Sequence, residues 1–169
     1  MIKYTTSQIV FEEIPDEITL ALNISNCMNR CEGCHSPELR GNIGTELDFK
    51  ALDELLAKND GITCLLFLGE GNDAESLKKL ICYIQSKFTT LKVGVYSGRK
   101  EIKEDFYWDV LDYLKIGPYV PECGPLNKRT TNQRLYKRVD ESIGRWEVVN
   151  GKCRRGWIDI TDRFWRDKA

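Results

Sequence analysis

The chain holds a single histidine, His35, and no second Cys-x2-Cys pair to match Cys31 and Cys34. Structural zinc sites are usually built from two such separated pairs, so the lack of a second one argues against an ordinary four-ligand zinc ribbon or finger. No segment is long and apolar enough to span a bilayer. The N-terminus, Met1-Ile2-Lys3-Tyr4-Thr5-Thr6, has no basic region leading into an apolar stretch, and a cytoplasmic protein with no membrane partner is expected. No run of aromatics interleaved with the basic residues indicates a nucleic-acid platform, so none is expected. At 169 residues the chain is too short for a full eight-stranded β/α barrel, which needs about 250, so any barrel here must be incomplete.

What is present is an ordinary globular composition, 41% hydrophobic and 30% charged, enough for one domain with a real core. The seven cysteines are an odd number, which speaks against a closed disulfide framework and for thiols kept reduced. Cys64 and Cys82 lie among apolar neighbours and are expected to be buried. Cys123 and Cys153 fall in loops, where either could serve as a spare ligand. The net charge of -1 hides an asymmetry: residues 127–169 carry 12 Lys and Arg against 6 Asp and Glu, while residues 1–126 carry 13 against 20. That basic quarter suits an acidic partner surface or anionic ligand, or is simply a solvated face with counter-charges such as Asp140, Glu141 and Asp162.

Hydrophobic patterning organises the chain. Residues 1–17 read as an edge strand or hairpin, 18–139 as the core and 140–169 as a basic, aromatic tail containing Trp146, Trp157, Phe164 and Trp165. The short apolar runs Ile18–Ile24, Thr63–Leu68, Leu91–Gly98 and Tyr113–Ile116 read as strands. Helices are expected over 46–58, with Thr45 as N-cap, and after Asp73, with Leu77, Leu80, Ile81 and Ile84 as its buried stripe. Residues 101–111 are helical in pattern and 135–139 suggest a further strand. Strands alternating with helices of this length argue for an α/β fold with a parallel sheet. Arg134 has the geometry to grip a carboxylate or phosphate, with an inconsequential surface arginine as the alternative.

The chemically informative stretch is Cys27-Met28-Asn29-Arg30-Cys31-Glu32-Gly33-Cys34-His35, on the loop leaving the strand 18–24. Open α/β sheets and barrels place their chemistry at such C-terminal strand ends. Thiolates select soft metals, and three of them would leave one iron of a 4Fe-4S cubane, which normally has four, open to a substrate. A Cys3His zinc site with His35 is the rival, though a histidine adjacent to a ligand cysteine cannot easily reach the same ion.

Cys-x3-Cys-x2-Cys after a first core strand resembles the radical S-adenosylmethionine (SAM) enzymes. Within that superfamily Cys31-Glu32-Gly33-Cys34, with glycine where many relatives have an aromatic residue, is similar to the activating proteins of anaerobic ribonucleotide reductase. So are Ile116-Gly117-Pro118-Tyr119 and Thr131-Asn132-Gln133-Arg134. The resemblance implies a partial parallel β/α barrel with a loop-rich C-terminal extension. It implies a 4Fe-4S cluster on Cys27, Cys31 and Cys34, with SAM bound beside Gly33, Cys34 and His35. It aligns Leu68-Gly69-Glu70 with the family's Gly-Gly-Glu motif, so that Gly69 and Glu70 would hold the SAM ammonium, and Leu68 departs from the pattern. Ser97, with Tyr96, would lie near the adenosyl portion, and no catalytic side chain beyond the cluster ligands is implied. The activity implied is reductive cleavage of SAM to place a glycyl radical on the large subunit of anaerobic ribonucleotide reductase, with a reductant protein such as flavodoxin or ferredoxin supplying the electron. Two other readings stay open: a radical SAM enzyme for a small molecule such as a modified-nucleoside precursor, and a non-enzymatic zinc-binding interaction module.

Overall fold

The computed structural model describes residues 1–142, 147–149 and 152–167, without the side chains of 147–149 and 152–154. Trp146 and the Cys153 side chain therefore lie outside the described residues. In chain order the elements are β1 (Lys3–Val10), β2 (Thr19–Ile24), β3 (Thr45–Glu46), α1 (Phe49–Lys58), β4 (Cys64–Leu68), α2 (Ala74–Lys87) and β5 (Lys92–Tyr96). Then follow α3 (Asp105–Val110), β6 (Tyr113–Ile116), β7 (Arg134–Arg138), β8 (Glu147–Val149), β9 (Lys152–Arg154) and β10 (Trp157–Asp159). The chain forms two compact units, one of Met1–Arg30 and His35–Tyr96, the other of Cys31–Cys34 and Ser97–Ala169.

In the first unit the strand order is β5-β4-β2-β1-β3. β2, β4 and β5 run parallel, with Leu20 opposite Leu65 and Leu65 opposite Val93. β4 is buried through Cys64, Leu65, Leu66 and Phe67, as expected for a central parallel strand covered on both faces. α2 buries Leu77, Leu80, Ile81 and Ile84, the stripe its spacing requires, and Asp73 caps it by accepting from the Ser76 N–H at 3.0 Å. Cys82 is exposed rather than buried, because it falls off that stripe while its apolar sequence neighbours stay on it.

α1 begins later than the sequence suggests. Thr45 and Glu46 pair with Tyr4 and Lys3 as a short strand, so the cap passes to Asp48, whose Oδ1 accepts from the Ala51 N–H at 2.8 Å. At the N-terminal ends of β4 and β5, buried Glu17 accepts from Lys92 Nζ and Thr63 Oγ1, each at 2.5 Å.

The second unit is built from short pieces. β6, β7 and β10 are antiparallel, with Leu114 opposite Tyr136 and Asp159 opposite Tyr136 on the other side. A separate hairpin pairs β8 with β9. α3 spans only Asp105–Val110, not the whole of 101–111. The Ile102 carbonyl, which a longer helix would use internally, instead accepts from Trp108 Nε1 at 3.3 Å.

The fold is therefore α/β with mixed strand directions. The parallel arrangement expected of the core holds for β2, β4 and β5, while β1, β3, β7 and β10 pair antiparallel, so a parallel β/α barrel does not run through the chain. The reason is in the connections. Parallel neighbours need a crossover, usually helical, whereas residues 117–133 between β6 and β7 carry Pro118, Pro121, Gly124 and Pro125 and form no helix. Among the described residues no helix is long and apolar enough to cross a membrane.

Candidate functional site

The site residues fall in both units, and each group has its own local supports. In the first unit β2 delivers Cys27 through Ser25 and Asn26. The Ser25 N–H donates to Lys3 O at 3.0 Å and its hydroxyl to Ile43 O at 2.6 Å. Asn26 sits at φ +58, a conformation asparagine tolerates better than most residues, and its N–H donates to Gly41 O at 3.1 Å. The Cys27 N–H donates to Leu39 O at 2.9 Å. The strand exit is thus fixed by the returning segment 39–43 up to the first thiol.

Beside that exit lies the turn after β4. Gly69, at φ +111, donates its N–H to Tyr96 O at 3.1 Å, and a Cβ on it would lie 3.4 Å from Ile24 O. Gly71, at φ +66, lies equally close: its Cβ would be 3.4 Å from Ile24 Cγ2 and 3.5 Å from Ser25 O. Gly69-Glu70-Gly71 therefore folds over the C-terminal end of β2, with Gly69 at a φ that favours glycine strongly. Leu68, the departure from the family triplet, is the last residue of β4, paired with Asn23 and Tyr96. Gly71 supplies a second flexible position that the motif alignment does not require. Glu70 is partly exposed, and His35 is exposed.

Tyr96 closes β5 with its hydroxyl donating to Glu13 O. Burial pushes its phenol well above the ordinary tyrosine range, so it is a neutral, committed donor.

In the second unit Cys31 and Cys34 bracket a turn in which the Cys34 N–H donates to Cys31 O at 3.3 Å and Gly33 takes φ +68. A Cβ on Gly33 would stand 3.1 Å from Tyr119 Cε1 and 3.5 Å from Pro121 Cγ, so the segment after β6 lies directly against this turn. Ser97 is fully buried. Its N–H donates to Lys115 O at 2.8 Å, and its Oγ accepts from the Arg99 N–H at 3.1 Å, so that oxygen is engaged within its own turn. Cys123 is partly exposed in a turn where its N–H donates to Val120 O at 3.0 Å. Arg134 pairs with Asp159 at 3.8 Å.

Lys115 is a residue the pattern reading passed over. It is buried in β6, and its amine is pushed down to about 8 by desolvation, an effect partly opposed by its electrostatic interaction with Cys31. The signal was a charged residue inside the apolar run Tyr113-Leu114-Lys115-Ile116. Tyr119 and Pro121, which face Gly33, could not be read from spacing because the contact is long-range.

Cys27, Cys31 and Cys34 form no disulfide and are all partly exposed. Three reduced thiols on one loop, with a glycine turn between the last two, suit a soft metal or an iron-sulfur cluster by donor chemistry. Among the described residues no three or more His, Cys, Asp or Glu side chains are gathered closely enough to hold an ion, so the fit lies in the donors and the turn rather than in a formed cage. Comparison with family models, with curated proteins and with solved structures gave no match.

Proposed function

We propose that this chain is a radical SAM activase, holding a 4Fe-4S cluster through Cys27, Cys31 and Cys34 and acting on a glycine of anaerobic ribonucleotide reductase. The observation that carries the reading is the packing of Gly69-Glu70-Gly71 on Ile24 and Ser25, which sets a glycine-rich turn with a carboxylate beside the strand exit that leads to Cys27. A loop of thiols would hold a metal cluster, and a glycine-rich strand-end turn with an acidic side chain would hold an amino-acid-like ligand. The partial barrel of that family, which the mixed strand directions do not establish, belongs to the same proposal.

When bound, the cluster and SAM would together supply one-electron chemistry for hydrogen-atom abstraction from the partner's glycine. The chain's own groups do the binding. The three cysteines would ligate as thiolates, releasing their protons on metallation. Glu70 would accept from the SAM ammonium, while Gly69 and Gly71 let the backbone approach closely. Gly33, Cys34 and His35 would flank the ligand. Lys115 would offset part of the thiolate charge at Cys31. A reductant protein such as flavodoxin or ferredoxin would deliver the electron.

Anaerobic reconstitution with iron and sulfide tests this. The protein should take up a brown cluster, lose it in Cys31→Ala, and, once reduced, cleave SAM to methionine. Zinc at one per chain with no cluster and no SAM cleavage would overturn the proposal in favour of an interaction module.

A further inference from the structure

Two stretches singled out in the sequence, Ile116-Gly117-Pro118-Tyr119 and Thr131-Asn132-Gln133-Arg134, have no role in the chemistry above. Both lie in the second unit, as does the Cys31–Cys34 turn, and they are linked in series to it.

The first link is from the Thr-Asn-Gln stretch to Gly117-Pro118. Asn132 Nδ2 donates to Pro118 O at 2.9 Å. Gly117 is at φ +107, and a Cβ there would stand 3.1 Å from Gln133 Cα and 3.3 Å from Asn132 O, so only glycine permits the approach. The Gly117 N–H donates to Arg99 O at 2.7 Å. Thr131 and Gln133 on either side of Asn132 are buried, and the Gln133 N–H donates to Thr131 Oγ1 at 3.1 Å. The backbone leading into Tyr119 is therefore held from two directions.

The second link is from Tyr119 to the cysteine turn. The ring edge, Cε1 and Cδ1, would meet a Cβ on Gly33 at 3.1 and 3.6 Å, with Pro121 Cγ at 3.5 Å. The contact is made by ring carbons, not by the hydroxyl.

We infer that Tyr119 is a positioning residue for the metal-binding loop: its ring edge lies against Gly33, close enough to crowd a Cβ there, and holds the Cys31–Cys34 turn, and Asn132 holds Tyr119 through Pro118. The inference rests on the reading of those cysteines as cluster ligands. Its physical basis is loop entropy. Fixing backbone conformation costs entropy, so a turn already seated on a ring needs less ordering when its thiols close on a cluster. Gly33 then has two reasons to be glycine, its positive φ and the ring against it.

The test compares wild type, Tyr119→Phe, Tyr119→Ala, Asn132→Ala, Gly33→Ala and the double variant Gly33→Ala/Tyr119→Ala. Two readouts are used, the rate at which an iron chelator strips the reconstituted cluster and, in metal-free protein, peptide-resolved alkylation of Cys31 and Cys34 with Cys27 as internal reference. Tyr119→Ala should lose its cluster several-fold faster and label faster at Cys31 and Cys34 than at Cys27. Tyr119→Phe should match wild type, Asn132→Ala should move the same way by less, and the double variant should retain cluster better than Gly33→Ala alone. Wild-type rates in both Tyr119→Ala and Asn132→Ala, failure of Tyr119→Phe to restore them, or a double variant no better than Gly33→Ala would overturn the inference. A wild-type protein that takes up no cluster but whose alkylation follows this order would sink the functional reading and leave the ring-on-turn contact standing.

Discussion

The two units bury different kinds of side chain. In the first the core is aliphatic, Leu20, Leu22, Leu65, Leu66, Leu77, Ile81, Ile84, Val93 and Val95, joined by the fully buried Phe67. The second buries Tyr107, Trp108, Tyr113, Tyr136 and Trp157 with fewer aliphatics. Aliphatic side chains ask only for shape, which regular strands and helical stripes provide. Buried Trp and Tyr bring polar atoms that need partners. Trp108 Nε1 donates to Ile102 O at 3.3 Å and Trp157 Nε1 to Trp108 O at 3.1 Å. Arg138 lies over the Trp157 ring, with Cζ 4.8 Å from its centroid, and donates from Nε to Leu111 O at 2.7 Å and from Nη2 to Trp108 O. The bonds to Trp108 O and Leu111 O satisfy open carbonyls at the C-terminal end of α3. The second unit thus tolerates irregular backbone because its core side chains double as caps.

The strongest test of that contrast pairs Trp108 with Leu66. Leu66→Ala should cost about 2–5 kcal/mol in urea unfolding and Trp108→Ala about 3–5 kcal/mol, both through cavities. The informative variants are milder. Leu66→Met should cost less than about 1.5 kcal/mol, because volume is kept and no polar atom is stranded. Trp108→Phe should cost more, since the buried Ile102 carbonyl loses its donor, at about 1–3 kcal/mol beyond the volume change. Equal losses for the two mild variants would erase the distinction between the cores.

The same contrast explains what could be read from the sequence. The strands β2, β4 and β5 and the stripe of α2 follow from apolar runs and helical spacing, because local pattern and burial agree in the first unit. Cys82 was legible in principle, since helical phase places it away from Leu80, Ile81 and Ile84, and only its apolar neighbours suggested burial. The start of α1 was not legible, because the pairing of Thr45 and Glu46 with β1 overrides a reasonable local cap. Nor was the late start of α3, which depends on an indole needing the Ile102 carbonyl. In the candidate site the thiol spacing and the Gly-Glu turn were visible as motifs, whereas the contact of Gly33 with Tyr119 joins residues far apart in sequence.

A second, smaller effect is expected from Lys115, the charged residue in the second unit's core. Its folded value of about 8 lies below its ordinary 10.5, so folding favours the neutral amine. Between those values the unfolded chain binds more protons, and stability should rise as pH increases from about 8 to 10.5; below about 8 the full penalty of burying the charge applies. Lys115→Met should therefore stabilise metal-free protein at pH 7 by up to roughly 3 kcal/mol, at about 1.4 kcal/mol per pKa unit, with the gain fading above the upper end of that window. Melting temperatures of both proteins across that range check it. A gain independent of pH would show that shape, not charge, sets the effect.

The smallest effect concerns helix starts, where the units differ again. α1 in the first unit is capped by a side chain, with Asp48 Oδ1 accepting from the Ala51 N–H, while Glu104 at the start of α3 makes no such bond and reaches Arg99 Nη1 at 2.9 Å instead. Asp48→Ala removes the partner of an otherwise unsatisfied N–H and should cost about 1 kcal/mol. Glu104→Ala removes only a solvent-exposed ion pair, a loss of about 0.2–1 kcal/mol that should vanish in high salt. Chemical unfolding at low and high ionic strength separates the two, because a neutral-donor cap persists where an exposed pair is screened. If the Glu104→Ala loss matched that of Asp48→Ala and survived salt, α3 would depend on its own first turn, and the view that aromatic and arginine side chains from outside the helix hold it would fail.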